Sequence, residues 1–330
     1  MNDRVIALLE NYDITVLRSW KGRGAIIFET SEGIKQIREY GRPKNKLPFL
    51  ACLLDKIAES GICKVDQYTK TKEGEYFISD KDEITYVVKD FHEGRECDIH
   101  SREDLVKGVT LLARLHHTMK MSEEERDVLG CTLTPFSFAD EVTKHNRELI
   151  KAFRYLSDKG QRSEFELYLL HHFKPFLTQA KETKRLVEEE DFSSLYRECR
   201  LIGSFIHGEY QYHNILFGEK DAAVVNFEKA SPDTCVKDLY YFLRKAMEKN
   251  NWDEELFVAI LESYDKEKTL STEEKKQLYL RLLYPEKFWK IVNFYFNSTK
   301  SWIPVKNMEK LNALIRQEDI KQSLLNKYIF

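Results

Sequence analysis

The 330-residue sequence has few of the residues that mark secreted, disulfide-linked or membrane proteins. It contains only 6 cysteines, 7 prolines and 4 tryptophans. The cysteines are scattered and no two of them form a CxxC pair, so we expect buried free thiols rather than a disulfide framework or a structural metal site. These cysteines are Cys52, Cys63, Cys97, Cys131, Cys199 and Cys235.

Long apolar runs and an excess of one charge are also missing. No segment approaches the ~20 apolar residues that a membrane helix requires. The first residues, MNDRVIALLENYD, are charged early and lack the apolar core of a signal peptide. The net charge is only −3, and basic residues are interspersed with acids, which argues against a nucleic-acid-binding face. We therefore expect a cytoplasmic protein without membrane insertion or a nucleic-acid partner.

The sequence is rich in apolar and charged residues, at 42% and 32%. A chain of this length and composition can bury a sizeable core and form two lobes. Its periodicity changes from β-rich to helical near residue 101. The patterns predict helices over 2–12, 46–60, 101–117, 138–159, 161–190, 233–250, 253–265, 272–298 and 307–327, and strands over 14–21, 25–30, 33–40, 65–71, 75–79 and 84–91.

Aromatic side chains are concentrated in the last predicted helices. Their helical spacing favours a place in the core over a substrate platform. They are Trp289, Phe294, Tyr295, Phe296 and Trp302.

One segment, residues 201–228, has the layout of a catalytic site. His207, Glu209 and Asn214 have the spacing of a kinase catalytic loop, which is His-x-Asp followed by four residues and Asn. Two apolar runs separated by the turn GEKD then predict a β-hairpin. The hairpin ends in NFE at 226–228, where a kinase carries the acid that holds magnesium.

Two acids of that layout are altered. Phosphoryl transfer needs a carboxylate near the acceptor hydroxyl and anionic ligands for magnesium. Glu209 is one methylene longer than Asp, and a misplacement of ~1 Å can cost on the order of 100-fold in rate. Asn226 is neutral, and with Asn214 it gives two amides where carboxylates are preferred. Glu228 is the acid that could compensate as a metal ligand.

The β-rich region offers two candidates for a lysine that pairs with nucleotide phosphates. Lys35 and Arg38 both lie on the third predicted strand, and their spacing does not choose between them. The helix predicted over 46–60 has only late acids, Asp55 and Glu59, where a kinase places the glutamate that pairs with this lysine.

The strand predicted over 84–91 runs out into HEGR. This ending is compatible with a hinge whose backbone groups, around Phe91 and Glu93, would face an adenine. An ordinary strand end explains the same residues equally well.

The segments HGEYQYHN, VVNFEK, VKDLYYFLRK and YPEKFWKIVNFYFNSTKSWIP are similar to those of CotS-type spore coat proteins of endospore-forming Firmicutes. The resemblance covers nearly the whole chain and is most specific over 205–304. It implies the aminoglycoside phosphotransferase and choline kinase fold, which is α+β, bilobal and protein-kinase-like. We expect a small β-rich lobe over 1–94 and a larger helical lobe over 95–330.

The same resemblance implies roles for individual residues. Glu209 would be the catalytic base beside His207, and Asp238 the acid that braces the catalytic loop. Asn214 and Asn226 would occupy metal-ligand positions.

Two functions remain open from the sequence. The first is a degenerate pseudokinase that acts in spore coat assembly with other coat proteins and binds ATP and Mg²⁺ weakly. The resemblance implies that it would be made in the mother cell and then join the coat. The alternative is an active ATP-dependent phosphotransferase for a sugar or an amino alcohol. Two aspartates at positions 209 and 226 would favour the enzyme, whereas Glu209 and Asn226 favour the coat role.

Overall fold

The structure is a computed structural model that describes residues 2–130, 137–297 and 304–328. The chain forms two compact units, Met1–Leu133 with Ile202–Pro232, and Thr134–Leu201 with Asp233–Phe330. These units group residues by contact, whereas the predicted boundary near residue 94 divides the chain by secondary structure. That division into lobes stays a prediction.

The first unit is built on β-sheets. Its helices are α1 (Asn2–Ala7), α2 (Leu47–Ser60), α3 (Arg102–Thr118) and α4 (Glu123–Val128). Its strands are β1 (Val16–Gly22), β2 (Ala25–Thr30), β3 (Gly33–Glu39), β4 (Lys64–Val65), β5 (Tyr68–Thr69), β6 (Ile78–Ser79), β7 (Thr85–Asp90), β8 (Arg95–Glu96), β9 (Phe205–Ile206), β10 (Ile215–Phe217), β11 (Ala222–Val224) and β12 (Ser231–Pro232).

The main sheet is antiparallel and has the order β1-β2-β3-β7-β5, with β6 also paired to β7. One of its faces packs Phe28, Ile37 and Val88 against Leu9 and Tyr12 near the N-terminus. Because side chains alternate along a strand, the neighbours of these residues point to the opposite face. That second face carries the polar groups of the site described below.

A second sheet has the order β4-β11-β10-β8. The predicted hairpin is present as β10 and β11, and its turn is closed by the Gly218 N–H donating to Asp221 O at 2.9 Å. The single strand predicted over 65–71 is wrong, because β4 pairs with β11 whereas β5 pairs with β7. The chain crosses between the two sheets at this point, so one continuous strand cannot serve both.

The second unit is helical. Its helices are α5 (Phe138–Asp158), α6 (Glu164–Glu189), α7 (Ser193–Ile202), α8 (Val236–Lys249), α9 (Glu254–Glu267), α10 (Thr272–Leu283), α11 (Glu286–Asn297) and α12 (Pro304–Lys327). Buried side chains of α5 and α6, among them Leu149, Leu169 and Phe173, form its core together with Phe288 and Leu311. None of the described helices combines the length and the apolar character needed to cross a membrane.

The single helix predicted over 272–298 is also wrong. Tyr284 leaves the helical region, with φ −59° and ψ 132°, and Pro285 follows it. A residue before proline is pushed toward extended geometry, and proline donates no backbone hydrogen bond. The chain therefore forms α10 and α11 instead of one helix, while α4 and α7 were not predicted.

The predicted aromatic core is only partly correct. Trp289, Tyr295 and Phe296 pack against the core of the second unit, whereas Phe294 is 50% exposed. Trp302 lies outside the described residues. All five described cysteines are free thiols, four of them buried and Cys52 half-buried, and Cys131 lies outside the described residues.

A substitution in the turn before β9 would test how tightly the first unit is packed there. Gly203 has φ +64°, and a Cβ built there would lie 1.9 Å from Met121 O. We expect Gly203→Ala to lower the free energy of unfolding by several kcal/mol, since backbone strain and overpacking each cost about 1–3 kcal/mol. Urea denaturation measures the loss.

Gly130→Ala is the matched control for this substitution. Gly130 also has a positive φ, +59°, but a Cβ there meets no described atom within 4 Å. It should therefore lose only the strain contribution. Equal losses in the two variants would contradict the close approach to Met121.

Candidate functional site

A cavity of about 460 Å³ in the first unit collects most of the polar side chains that the sequence singles out. Its walls come from the turn after β1, from β2 and β3, from the segment between β7 and the end of β8, and from the catalytic-type loop and the hairpin. Its lining residues are Arg23, Ala25, Ile27, Gln36, Arg38, Phe91, His92, Glu96, Glu209, Gln211, His213, Asn214, Leu216, Val225, Asn226 and Glu228.

His207 does not line the cavity, but its ring holds the catalytic-type loop in place. It is fully buried, its Nε2 lies 3.0 Å from Val225 O, and its Nδ1 accepts from the Glu209 N–H at 3.2 Å. These partners require a neutral ring with the proton on Nε2. Gly208, with φ +76°, lets the loop pass Lys229, because a Cβ at this position would lie 2.3 Å from Lys229 O.

Glu209, at the catalytic-base position, lines the cavity and forms an ion pair. Its carboxylate lies 2.7 Å from Lys229 Nζ, and the two side chains are 33% and 42% exposed. A partly exposed pair of this kind contributes little to stability and exchanges readily. Glu209 therefore keeps a carboxylate at the cavity, with a lysine as its partner.

Asn214 and Asn226 lie side by side and are joined by hydrogen bonds. Asn226 Nδ2 donates to Asn214 Oδ1 at 2.9 Å, and Asn214 Nδ2 donates to Glu209 O at 2.9 Å. Arg38 Nη1 donates to Asn226 Oδ1 at 2.8 Å. Asn226 has left-handed backbone geometry, φ 69° and ψ 55°, which asparagine tolerates better than most residues. Both amide oxygens are therefore already acceptors.

Glu228 is held by a lysine that the sequence analysis did not single out. Lys89 Nζ lies 2.5 Å from Glu228 Oε1 and 2.5 Å from Asp66 Oδ2. Lys89 and Asp66 are almost fully buried, and the Glu228 side chain is 19% exposed. Asp66 Oδ2 also accepts the Asn226 backbone N–H at 3.0 Å. One buried cation thus ties the end of the hairpin to β7.

The surroundings shift the acid–base properties of this triad. Burial raises the pKa of Asp66, against the opposing effect of Lys89. Burial also acts to raise the pKa of Glu228, but Lys89 and Arg38 outweigh it and lower that pKa to about 2. Burial acts to lower the pKa of Lys89, but its two carboxylate partners raise it above the ordinary value. Glu228 is therefore a carboxylate and Lys89 an ammonium at neutral pH.

The geometry distinguishes the two candidate cations on β3. Arg38 and Gln36 alternate onto the cavity face of the main sheet and line the cavity. Lys35 points to the other face, where its Nζ binds Asp90 at 2.8 Å and Thr69 at 3.2 Å. An arginine, not a lysine, is therefore the cation that β3 presents to the cavity.

Of the two predicted hinge residues, Phe91 and Glu93, only one lines the cavity. Phe91 lines the cavity, and its N–H donates to Ile34 O at 2.9 Å, whereas Glu93 is exposed and is not among the lining residues. Asp238 is buried in the first turn of α8, in the second unit. The catalytic, cofactor-binding and metal-binding roles assigned to all of these residues stay predictions.

Lys89, Asp66 and Lys229 were missed by the sequence analysis, although Lys89 left a signal. It stands in the segment ITYVVKDF, and all of residues 85–89, including this lysine, are buried. A lysine in such a strand is almost never buried unless it is paired. This lysine therefore requires carboxylates nearby, but the sequence does not show which ones.

The donor set is a poor fit to magnesium. This ion is usually held by one or two carboxylates and keeps several waters. Here Asn214 and Asn226 are neutral and their oxygens accept other hydrogen bonds, while Glu228 is paired with Lys89. Arg38 adds positive charge beside Asn226. The same guanidinium suits phosphate oxygens, which it can contact through two N–H groups at once.

Comparison with solved structures shows which fold the chain has. An aminoglycoside phosphotransferase from Alicyclobacillus acidocaldarius subsp. acidocaldarius DSM 446 has a TM-score of 0.83 and 18% identity, over 98% of this chain and 94% of that chain. A spectinomycin phosphotransferase in complex with ADP and spectinomycin has a TM-score of 0.65 and 11% identity, over 96% and 93%. The protein has the aminoglycoside-phosphotransferase-like fold, as predicted.

Comparison with sequence families defines the protein more narrowly. The chain belongs to the family described as "Spore coat putative kinase YutH", whose model matches residues 6–328. Spore coat protein S from Bacillus subtilis (strain 168) is 24% identical over 323 residues, which is 96% of this chain and 90% of that protein. The predicted resemblance to CotS-type proteins is confirmed.

The lowered pKa of Glu228 predicts a pH-dependent contribution to stability. A carboxylate whose pKa is about 2 when folded and 4.5 when unfolded stabilises the fold above pH ~4.5 by about 3 kcal/mol. This contribution is lost as the pH falls toward 2. We expect Glu228→Gln to lower the free energy of unfolding by up to this amount at pH 7 and by much less at pH 3.

Urea denaturation of both proteins between pH 7 and pH 3 measures the difference, in which titrating groups far from position 228 cancel. Glu219→Gln, in the exposed hairpin turn, is the matched control and should change little at either pH. A deficit of Glu228→Gln that stays constant across this range would contradict the Lys89 ion pair.

Proposed function

We propose that this protein is a spore coat component whose phosphotransferase fold has become a pseudokinase, and that it acts in coat assembly by binding. The arrangement of Asn226 carries the proposal. Its amide replaces the anionic metal ligand and is tied to Arg38 and Asn214. The acid that could replace it, Glu228, is held by Lys89. Family membership and the similarity to Spore coat protein S support the coat context.

The cavity supports a residual nucleotide site under this proposal. A neighbour of the same fold was solved with ADP. In this chain Arg38 and Arg23 would face the phosphates, and the backbone near Phe91 would face the base. Without an anionic metal ligand, nucleotide binding would be weak and would gain little from magnesium.

An active phosphotransferase acting on a sugar or an amino alcohol is the second candidate. The observation in its favour is Glu209, which lines the cavity and whose backbone carbonyl accepts a hydrogen bond from Asn214. Turnover by this route would require Glu228 to leave Lys89, or another acid to bind the metal.

Restoring the two acids should restore metal dependence. We expect the melting temperature of the unmodified protein to rise slightly with ATP and to rise no further with magnesium. In the double variant that carries both Glu209→Asp and Asn226→Asp, magnesium should tighten ATP binding about tenfold or more. This corresponds to ~1.4 kcal/mol, or roughly 2–4 °C in a thermal-shift assay.

Asn297→Asp makes the same chemical change at an exposed position in α11 and should leave the response to magnesium unchanged. ATP hydrolysis is followed in parallel. Robust hydrolysis by the unmodified protein that is lost in Asn226→Ala would contradict the pseudokinase and support the enzyme.

Coat assembly should not depend on phosphate transfer. We propose synthesis in the mother cell followed by recruitment to the forespore surface with other coat proteins. Fluorescent fusions of the unmodified protein, and of Glu209→Gln and Asn226→Ala variants that fold normally, should all localise to the coat, because recruitment by binding needs no phosphate transfer. Time-lapse imaging through sporulation measures the recruitment.

The fluorescent protein alone controls for passive accumulation. Uniform fluorescence of the unmodified fusion with none on spores would contradict the coat role. If Glu209→Gln or Asn226→Ala folds normally but is not recruited, ligand occupancy of the cavity, rather than the folded surface alone, governs assembly.

A further inference from the structure

The second unit contains a basic cavity that the proposed function does not use. It has a volume of about 360 Å³ and is formed by α8, α11 and the start of α12. Its lining residues are Arg244, Lys245, Lys287, Lys290, Ile291, Phe294, Asn307 and Lys310. Among these described residues five are cationic and none is acidic.

The cations are only partly neutralised. Glu248 pairs with both Arg244 and Lys287, and Glu286 lies 3.2 Å from Lys290. Within the described part of the chain, Lys245 and Lys310 form no ion pair with a carboxylate. Burial, together with Arg244 and the two lysines of α11, lowers the pKa of Lys245 to about 8. The apoprotein therefore holds like charges close together at a cost to its own stability.

Two buried side chains in this cavity carry polar atoms that have no hydrogen-bond partner in the described part of the chain. Asn307 is 1% exposed, and neither of its amide atoms has a partner among the described residues. Arg244 is 5% exposed, and its Nε and Nη2 likewise have none there. A buried donor without an acceptor costs about 1–3 kcal/mol, so native proteins rarely keep several together. An anion that accepts these hydrogen bonds would remove the cost.

Helix α11 contributes apolar as well as cationic side chains to this cavity. Lys287, Lys290, Ile291 and Phe294 recur at the intervals that put residues on one face of a helix. Phe294 is half exposed, and Lys310 Nζ lies 5.6 Å from the centre of its ring. One wall of the cavity is therefore apolar and aromatic while the rest is cationic.

We propose that this cavity is a binding site for a phosphate group, carried by a small organic molecule or present as free phosphate. Phosphate suits the cavity better than a single carboxylate, because it carries about −1.5 to −2 charges and three acceptor oxygens. Arg244, Lys245 and Asn307 bind the oxygens. Phe294 contacts the organic part of an ester.

Calorimetric titration of the full chain at pH 7 and constant ionic strength tests the site. The probes are inorganic phosphate, phenyl phosphate and acetate. We expect saturable binding of at least one phosphate probe and much weaker binding of acetate. Tighter binding of phenyl phosphate, lost in Phe294→Ala, identifies an organic phosphate as the ligand, whereas equal binding of the two phosphate probes identifies the free anion.

Variants locate the binding and separate it from folding. Lys245→Gln and Asn307→Leu should each weaken phosphate binding at least tenfold. Their melting temperatures without ligand should be unchanged or higher, because repulsion or an unpaired amide is removed. Lys310→Gln, at an exposed position, should also weaken binding and keeps the test valid if a buried substitution fails to fold.

Lys107→Gln is the matched control, because it removes one positive charge from an exposed lysine of the first unit. It should change phosphate affinity by less than twofold. Failure of both phosphate probes to bind, equally tight binding of acetate, or equal weakening by Lys107→Gln and Lys245→Gln would overturn the proposal. None of these measurements depends on ATP binding or on coat recruitment.

Discussion

The candidate site depends on one buried ammonium group, Nζ of Lys89, shared between Asp66 and Glu228. Removing Lys89 would leave both carboxylates without their cation, and leaving a buried charge unpaired in this way costs about 3–5 kcal/mol. The triad joins β7, the connection after β4 and the end of the hairpin. It therefore fixes the position of Glu228 and, through Asp66 and the Asn226 N–H, the backbone of Asn226.

The fold could be predicted from the sequence where local and long-range signals agree. The hairpin of β10 and β11 has two apolar runs around a turn, and the loop before it has the spacing of a kinase catalytic loop. The sequence alone also shows that residue 226 is an uncharged asparagine. The break between α10 and α11 was also accessible, because Pro285 stands inside the helix predicted over 272–298, shortly after the observed end of α10 at Leu283.

The partners of the site residues could not be predicted, because they come from distant parts of the chain. Asp66 and Glu228 are 162 residues apart, and Arg38 and Asn226 are 188 apart. Spacing along the chain does not show which cation on β3 faces the cavity. The pairing with β7 does, since Arg38 lies beside Val87 and Lys35 beside Asp90 on the opposite face. Both limits arise from tertiary packing rather than from local preference.

We propose above all that this cavity holds nucleotide without a metal between Asn214 and Asn226. Crystals grown with a non-hydrolysable ATP analogue and Mn²⁺, measured at the manganese absorption edge, test it most directly. The account predicts nucleotide density near Arg38, no anomalous peak between the two amides, and Lys89 still bound to Asp66 and Glu228. A manganese peak coordinated by Asn226 and by a Glu228 that has left Lys89 would contradict it.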